Sequence, residues 1–230
     1  MKAPTKLSSE ERRAAIIGAV RRAFAEKGFH GTTTRELADA AGVSEALLFK
    51  HFPNKEALYS AMQVSCCHRV DQGTMERIKA LEPSTSTLAV MVHLMVSKLI
   101  GGRPRNGDDE SIQQRLMLHS LMEDGDFARL FLRGRTSCWL AKVEECIKAA
   151  VAAGDAVGGP VRPNLAGWFT HHLAALAMIH LLPASPVIDY GLPRDKLVEQ
   201  AVWFALRGIG VKEEAIKRYY NPKALALLLS

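Results

Sequence analysis

"GTTTRELADAAGVSEALLFKHFPNKEAL", residues 31–58, contains two short amphipathic runs with almost nothing between them. Thr33 or Thr34 can cap a helix over about residues 34–41, with Leu37, Ala38 and Ala41 on its inner face. Gly42 then allows a tight turn, and Val43 plugs the space beneath it. Ser44 can cap a second helix that runs to about His51, with Leu48 and Phe52 pointing back into a small core. Pro53 stops that element, and Asn54 can cap the next.

Helices this short are unstable alone, because nucleation is costly and few hydrogen bonds repay it. They need a partner, and the preceding segment supplies one. "SSEERRAAIIGAVRRAFAEKG" has helical period, with Ser8 and Glu11 at capping-box spacing and Gly28 as terminator. Ile16, Val20, Ala23 and Phe24 form its apolar stripe, and Arg12, Arg13, Arg21 and Arg22 are expected on its solvated face. Together the three make a helix-turn-helix unit. A side chain larger than Ala38 would push the two short helices apart. The outer face of the third helix stays free and protrudes, a shape that fits a DNA major groove. Lys50, His51 and Lys55 stand at its C-terminal side, where phosphates would run. The fourth helix, expected from near Lys55 to about Lys79, opens with backbone donors suited to a phosphate.

The segment 28–58 resembles the signature of TetR-type (TetR/AcrR) transcriptional regulators. Gly28 and Phe29 match its opening, Thr32 to Thr34 its threonine pair, and Leu37 and Ala38 its apolar pair. Ala41 to Ser44 match the turn, and His51, Phe52, Lys55 and Leu58 the end. The match covers about residues 8–60. It implies an all-α fold: a three-helix DNA-binding domain at 1–54 and a larger helical effector-binding and dimerisation domain at 55–230. Carried over residue by residue, Thr33 or Thr34 caps helix two and touches phosphate, and Arg35 reaches phosphate or a guanine edge. Ser44 caps the recognition helix, and Glu45, Ala46 and Leu47 take the base-facing positions. Lys50, His51 and Lys55 hold phosphate. Phe49 stands where the family usually has tyrosine, so a phenolic phosphate contact is lost. Glu45 can accept from a cytosine amino group, and Ala46 and Leu47 can meet thymine methyls. Alternatively, Glu45 merely lowers nonspecific affinity by repulsion.

The whole chain suits this reading. Its 230 residues are 48% hydrophobic, which excludes wholesale disorder, and its formal charge of +6 suits a polyanionic partner without requiring one. Cys66 and Cys67 are adjacent, Cys138 and Cys146 stand apart, and no C-x-x-C pair occurs, so buried reduced thiols are expected. The N-terminus lacks a signal peptide's apolar core. The apolar run 165–183 carries three histidines and reads as a buried interface helix rather than a membrane span. A cytoplasmic protein with no cofactor follows.

Beyond residue 82 the pattern is helical throughout. Helices are expected over 88–100, 110–122, 126–153 with a break near Asp124-Gly125, 164–182, 194–208 and 212–219, then a doubtful tail. "GGRPRNGDDE" at 101–110 reads as a polar loop.

One short reading helix needs a second copy on a palindromic duplex operator, which a two-fold dimer supplies. Trp168, His172, Leu176 and Ile179 form one stripe for a four-helix interface. Leu197, Ala201, Phe204 and Ala205 form the other, with Trp203 at its border. The resemblance implies a repressor released by a small molecule. Pocket candidates are Met91, His93, Met95, Arg115, Met117, His119, Met122, Phe127, Phe131, Trp139, His171 and Met178. Their mostly apolar character suits a hydrophobic or amphipathic effector, aromatic or acyl.

Two other classes stand beside this one. His68, His171, His172 and His180 raise a metal enzyme, but His171 and His172 diverge by about 100° on a helix, and no acidic residue recurs at ligand spacing. H-E-x-x-H, a phosphate loop and a nucleophile elbow are all missing. A helical interaction module that has lost DNA binding is the third class, favoured by Phe49 and the sparse base-contact set.

Overall fold

The computed structural model describes residues 7–68, 72–101 and 109–227. Among these residues the chain is helical, with one isolated antiparallel bridge between Ala156 and Val211. It divides into two units: Met1–Val70 with Arg105–Arg135, and Asp71–Pro104 with Thr136–Ser230. That division does not coincide with the 1–54 and 55–230 boundary expected from sequence.

In the first unit, α1 (Ser9–Lys27) begins on a complete capping box. The Ser8 amide donates to Glu11 Oε2 at 2.7 Å, and the Glu11 amide donates to Ser8 Oγ at 3.2 Å. α2 (Thr34–Ala41) and α3 (Glu45–His51) follow as expected, joined through Gly42 in the left-handed conformation. The Gly42 amide donates to the Asp39 carbonyl and the Val43 amide to the Ala38 carbonyl, which closes α2 in the space of one turn. α4 (Lys55–His68) starts where Asn54 Oδ1 accepts from the Ala57 amide at 2.7 Å. The expected continuation of α4 to Lys79 passes through residues 69–71, which lie outside the described residues. α5 (Gln72–Ala80) belongs to the second unit.

α1 is the wall on which these helices lean. Val20, Phe24, Leu37, Ala38, Leu48, Phe52, Leu58 and Met62 are all buried in one cluster. Nucleating an isolated helix costs ~4 kcal/mol. Burying Leu48 and Phe52 contributes ~1.5–3 kcal/mol each, together of the same size as that cost for a helix of seven residues. α7 (Asp109–Met122) and α8 (Asp126–Phe131) complete the unit, with Ile112, Leu116 and Phe127 in the same core. Arg21, expected outside, is buried. α1 packs against α7 as well as α2 and α4, so its apolar stripe is wider than one face and takes in the arginine stem.

Gly28 ends α1 at φ 70, ψ 179, a region beyond the left-handed helical basin and open only to glycine. A Cβ there would also lie 2.8 Å from His119 Nδ1 and 2.9 Å from Glu123 Oε1.

The second unit is built round α6 (Thr85–Val96), whose Leu88, Met91, Val92 and Val96 are wholly buried. α6 starts three residues earlier than expected, on a Ser84 cap, and passes at Ser97–Gly101 into a π turn. Around it pack α9 (Ser137–Ala152), α10 (Pro163–Leu181), α11 (Arg194–Ile209), α12 (Glu213–Tyr219) and α13 (Pro222–Leu227). The expected helix 126–153 is not continuous: a π turn at Leu132–Thr136 separates α8 from α9, and the chain changes unit there. The tail read as doubtful forms α13. Cys66, Cys138 and Cys146 form no disulfide among the described residues. Among the described residues no helix is long and apolar enough to cross a membrane.

Gly28→Ala forces a side chain into backbone geometry reserved for glycine, while the His119 and Glu123 ends it would meet can swing aside. It should lower unfolding stability by ~2 kcal/mol or more, as measured by urea denaturation. A change below ~0.5 kcal/mol would mean that the α1 terminus can rearrange.

Candidate nucleic-acid interface

The three consecutive threonines at 32–34 have three different tasks. Thr32 is buried, and its hydroxyl donates to the Gly28 carbonyl at 2.7 Å, tying the loop to the end of α1. Thr33 is the α2 cap. Its Oγ1 accepts from the Glu36 amide at 3.3 Å, while its own amide donates to Glu36 Oε2 at 2.8 Å. Thr34 reaches the next helix: its hydroxyl donates to Glu45 Oε2 at 2.9 Å. Glu36 also accepts from Lys27. The Lys27 ammonium first, and the Thr33 donors after it, hold its carboxyl down at about 2. Glu36 therefore stays an ionised acceptor for the capping box across the neutral range.

α3 is anchored at both ends. Ser44 Oγ accepts from the Leu47 amide at 3.2 Å at its start. At its end the Arg13 guanidinium lies 4.1 Å above the Phe52 ring and donates to the His51 carbonyl. Arg13 thus satisfies a carbonyl that the last helical turn would leave open. Sequence reasoning assigned it to the solvated face, since neither its spacing nor its type distinguishes it from Arg12 or Arg22.

Between these anchors only Leu48 is buried. Glu45, Ala46, Phe49 and Lys50 are exposed, and Leu47 and His51 are half-buried. Arg35 is exposed at the start of α2. Lys55 Nζ sits 4.4 Å over the Phe29 ring, a cation–π contact that orients the ammonium at the first residue of α4. The exposed side chains of α3 are thus Glu45, Ala46, Phe49 and Lys50, with Leu47 half-buried beside them and Lys55 just beyond the helix.

The family model "Bacterial regulatory proteins, tetR family" matches residues 16–62, the stretch from mid-α1 to mid-α4. Over that stretch the chain is similar to TetR-family regulators. Over 48 residues it is 48% identical to the transcriptional regulator RutR of Escherichia coli K12, covering 21% of this chain and 23% of RutR. It is 39% identical over 57 residues to the transcriptional activator FasR of Mycolicibacterium smegmatis, covering 25% and 26%. With the transcriptional repressor AcnR of Corynebacterium efficiens it shares 45% over 47 residues, covering 20% and 25%. The matched segment thus spans about a quarter of these curated relatives.

The fold likeness reaches further than the sequence likeness. A TetR-family regulator from Mesorhizobium loti superposes with TM-score 0.59 at 20% identity, over 90% of this chain and 100% of that one. AibR, solved with isovaleryl coenzyme A and operator DNA, gives 0.60 at 20% identity over 84% and 97%. FadR from Bacillus subtilis, solved with stearoyl-CoA, gives 0.55 at 16% over 85% and 98%. Outside residues 16–62 the chain shares architecture rather than sequence with them.

The expected effector residues separate between the units. Arg115, Met117, His119, Met122, Phe127 and Phe131 belong to the first. Phe127 is wholly buried in the core beside α1, whereas Met122 is 86% exposed. Met91, His93, Met95, Trp139, His171 and Met178 belong to the second. Met91 is core. His93 is buried with both ring nitrogens occupied, Nδ1 by Tyr220 Oη and Nε2 by Ser97 Oγ, each at 3.2 Å. Trp139 Nε1 and His171 Nδ1 are different: both are buried without a hydrogen-bond partner among the described residues. No cluster of three metal-ligating side chains occurs among the described residues.

Of the expected interface stripes, Leu176 and Phe204 are more than half exposed, and His172 is exposed. Trp168, Ile179, Leu197, Ala201 and Trp203 are half-buried, and Ala205 points into the core of the second unit. Phe169, which sequence reading passed over, is 56% exposed on the same helix as Leu176. Phe169 stands three residues before His172, so a stripe begun there instead of at Trp168 runs 3, 4 and 3 through Leu176 and Ile179.

Burial, and after it the neighbouring His172, push His171 down to about 4. The unfolded ring takes a proton near its ordinary 6.5, and the folded ring resists it. Stability should therefore fall as pH drops from about 6.5 towards 4 and level off below. The cost is on the order of 2 kcal/mol once partial exposure is discounted. In His171→Gln that part of the slope should disappear from thermal unfolding followed against pH.

Proposed function

We propose that this protein is a dimeric, sequence-specific DNA-binding transcriptional repressor, released from its operator by a hydrophobic or amphipathic small molecule. The observation that carries the DNA-binding part is the open face of α3, held at both ends and bounded by Arg35, Lys50, His51 and Lys55. A helix of this width with that fringe of basic side chains suits the major groove, with phosphates running past its ends. The family match over residues 16–62 covers the same elements.

Dimerisation is supported by apolar surface that a monomer has no use for. Phe169, Leu176 and Phe204 expose 56%, 57% and 69% of their area on α10 and α11, which pack side by side. A two-fold contact through these helices would cover all three and place two reading helices on a palindromic site.

The effector reading rests on the second unit. Trp139 and His171 present buried polar atoms without partners, on two helices that pack together, with Met95 and Met178 also in that unit. A ligand with an apolar body and a few acceptors or donors would satisfy those atoms. AibR and FadR, similar in fold, were solved with acyl-CoA ligands, which makes acyl thioesters the first class to try. Such a ligand acts as an inducer only if it prefers the conformer that does not bind DNA. AcnR is named a repressor and FasR an activator, so in vitro transcription from the bound site decides the sign.

Genomic fragments selected by the purified protein should bind with steep salt dependence, and Lys50→Ala should lower the salt slope by about 1. No duplex binding at low salt would favour a helical interaction module instead. Phe204→Glu should convert the dimer to monomer in sedimentation and reduce operator affinity at least tenfold. Isovaleryl-CoA or stearoyl-CoA should raise the melting temperature and release the operator. Stabilisation by polar ligands alone would overturn the effector class.

A further inference from the structure

We infer that Thr34 is a positioning residue for base reading: by donating to Glu45 it aims that carboxylate at the amino group of a cytosine in each half-site. The inference rests on the reading of the chain as a DNA-binding regulator and goes beyond it by naming a base and the residue pair that selects it.

Three observations meet at this pair. The cap of α2 is Thr33, so the Thr34 hydroxyl is not needed by the helix and does not serve as its cap. That hydroxyl crosses from α2 to α3 and donates to Glu45 Oε2 at 2.9 Å. Glu45 is exposed at the first residue of α3 and is not the third-residue partner of a capping box, a place that Leu47 holds. Its charge suits the start of α3, and the hydrogen bond that its carboxylate accepts comes from Thr34.

A mobile carboxylate on a DNA-facing surface would swing away from phosphates and contribute only repulsion. Held through one oxygen, it keeps the other in a fixed place. A carboxylate can only accept, and in the major groove cytosine N4 is the amino donor that glutamate or aspartate reads. Guanine and thymine present acceptors at the corresponding edge, which a fixed carboxylate rejects. Adenine sets its N7 acceptor beside its N6 amino group, which opposes an acceptor-only carboxylate where a glutamine amide would fit. The strut also removes a rotamer cost that an unrestrained glutamate would meet on binding.

The test is selection from a random-sequence duplex library by the full-length protein, with the wild type, Glu45→Ala, Glu45→Gln, Thr34→Val and Thr34→Ser compared at one salt concentration. All four changes are on exposed or half-exposed side chains, and melting curves check that each variant folds. The wild type should prefer cytosine at one position of each half-site by about tenfold or more. Glu45→Ala should flatten that position alone, and Glu45→Gln should move it towards adenine. Thr34→Val should weaken the cytosine preference severalfold while leaving the other positions intact, and Thr34→Ser should restore it. A Thr34→Val variant that loses affinity equally for all sequences, with the cytosine preference intact, would make Thr34 a phosphate contact and overturn the inference. So would a Glu45→Ala variant with an unchanged base profile. A wild type that enriches no sequence at all would overturn the DNA-binding reading together with the inference, which separates the two failures.

Discussion

Everything at the three-helix head depends on one buried contact region, where α2 and α3 lean on α1. Phe24 lies at its centre, with Leu37 and Ala38 from α2 and Leu48 and Phe52 from α3 and its end. Neither short helix could persist without that shared core, since each has too few internal hydrogen bonds to repay nucleation. α1 therefore acts as more than a support. It converts two segments of eight and seven residues into a rigid corner whose outer side is available for recognition. The same core reaches α4, α7 and α8, so the head is continuous with elements far along the chain.

The way α3 is held explains why its outer face is free. Its inward commitment is limited to Leu48, with Phe52 directly after the helix. Ser44 and Arg13 satisfy its ends, so the side chains between are not needed for capping. Polar groups at the N-terminal side are likewise shared out, with Thr32 tying the loop, Thr33 capping α2 and Thr34 bridging to α3. Hydroxyls one residue apart serve different partners because the backbone turns sharply there. A change at any of the three acts on a different part of the head.

The second unit follows another logic. α6 is apolar on nearly every side because other helices surround it, and no amphipathic pattern marks it. Its polar groups are mostly satisfied within the unit. His93 bonds Tyr220 and Ser97, and Arg194 Nη1 donates to the Ile100 carbonyl at 2.9 Å in the π turn. Against that background the unpartnered Trp139 and His171 nitrogens stand out, as do the exposed phenylalanines of α10 and α11. A folded protomer leaves these groups unused, and each invites a partner of matching chemistry.

The amino-acid sequence alone determined the helical class, the positions of α1 to α3, the turn at Gly42 and the open face of α3. These follow from local rules of period, capping and glycine placement, which need only neighbouring residues. Caps at Ser8, Ser44 and Asn54 were legible for the same reason. Only tertiary structure decided that Arg21 is buried, that Arg13 closes α3, that Thr34 bonds Glu45, and that the expected pocket residues divide between two units. The π turns after α6 and α8 belong to that second group as well. Each of these joins residues or elements whose meeting depends on how whole helices pack, and the period of a single helix carries no record of what lies against its flanks.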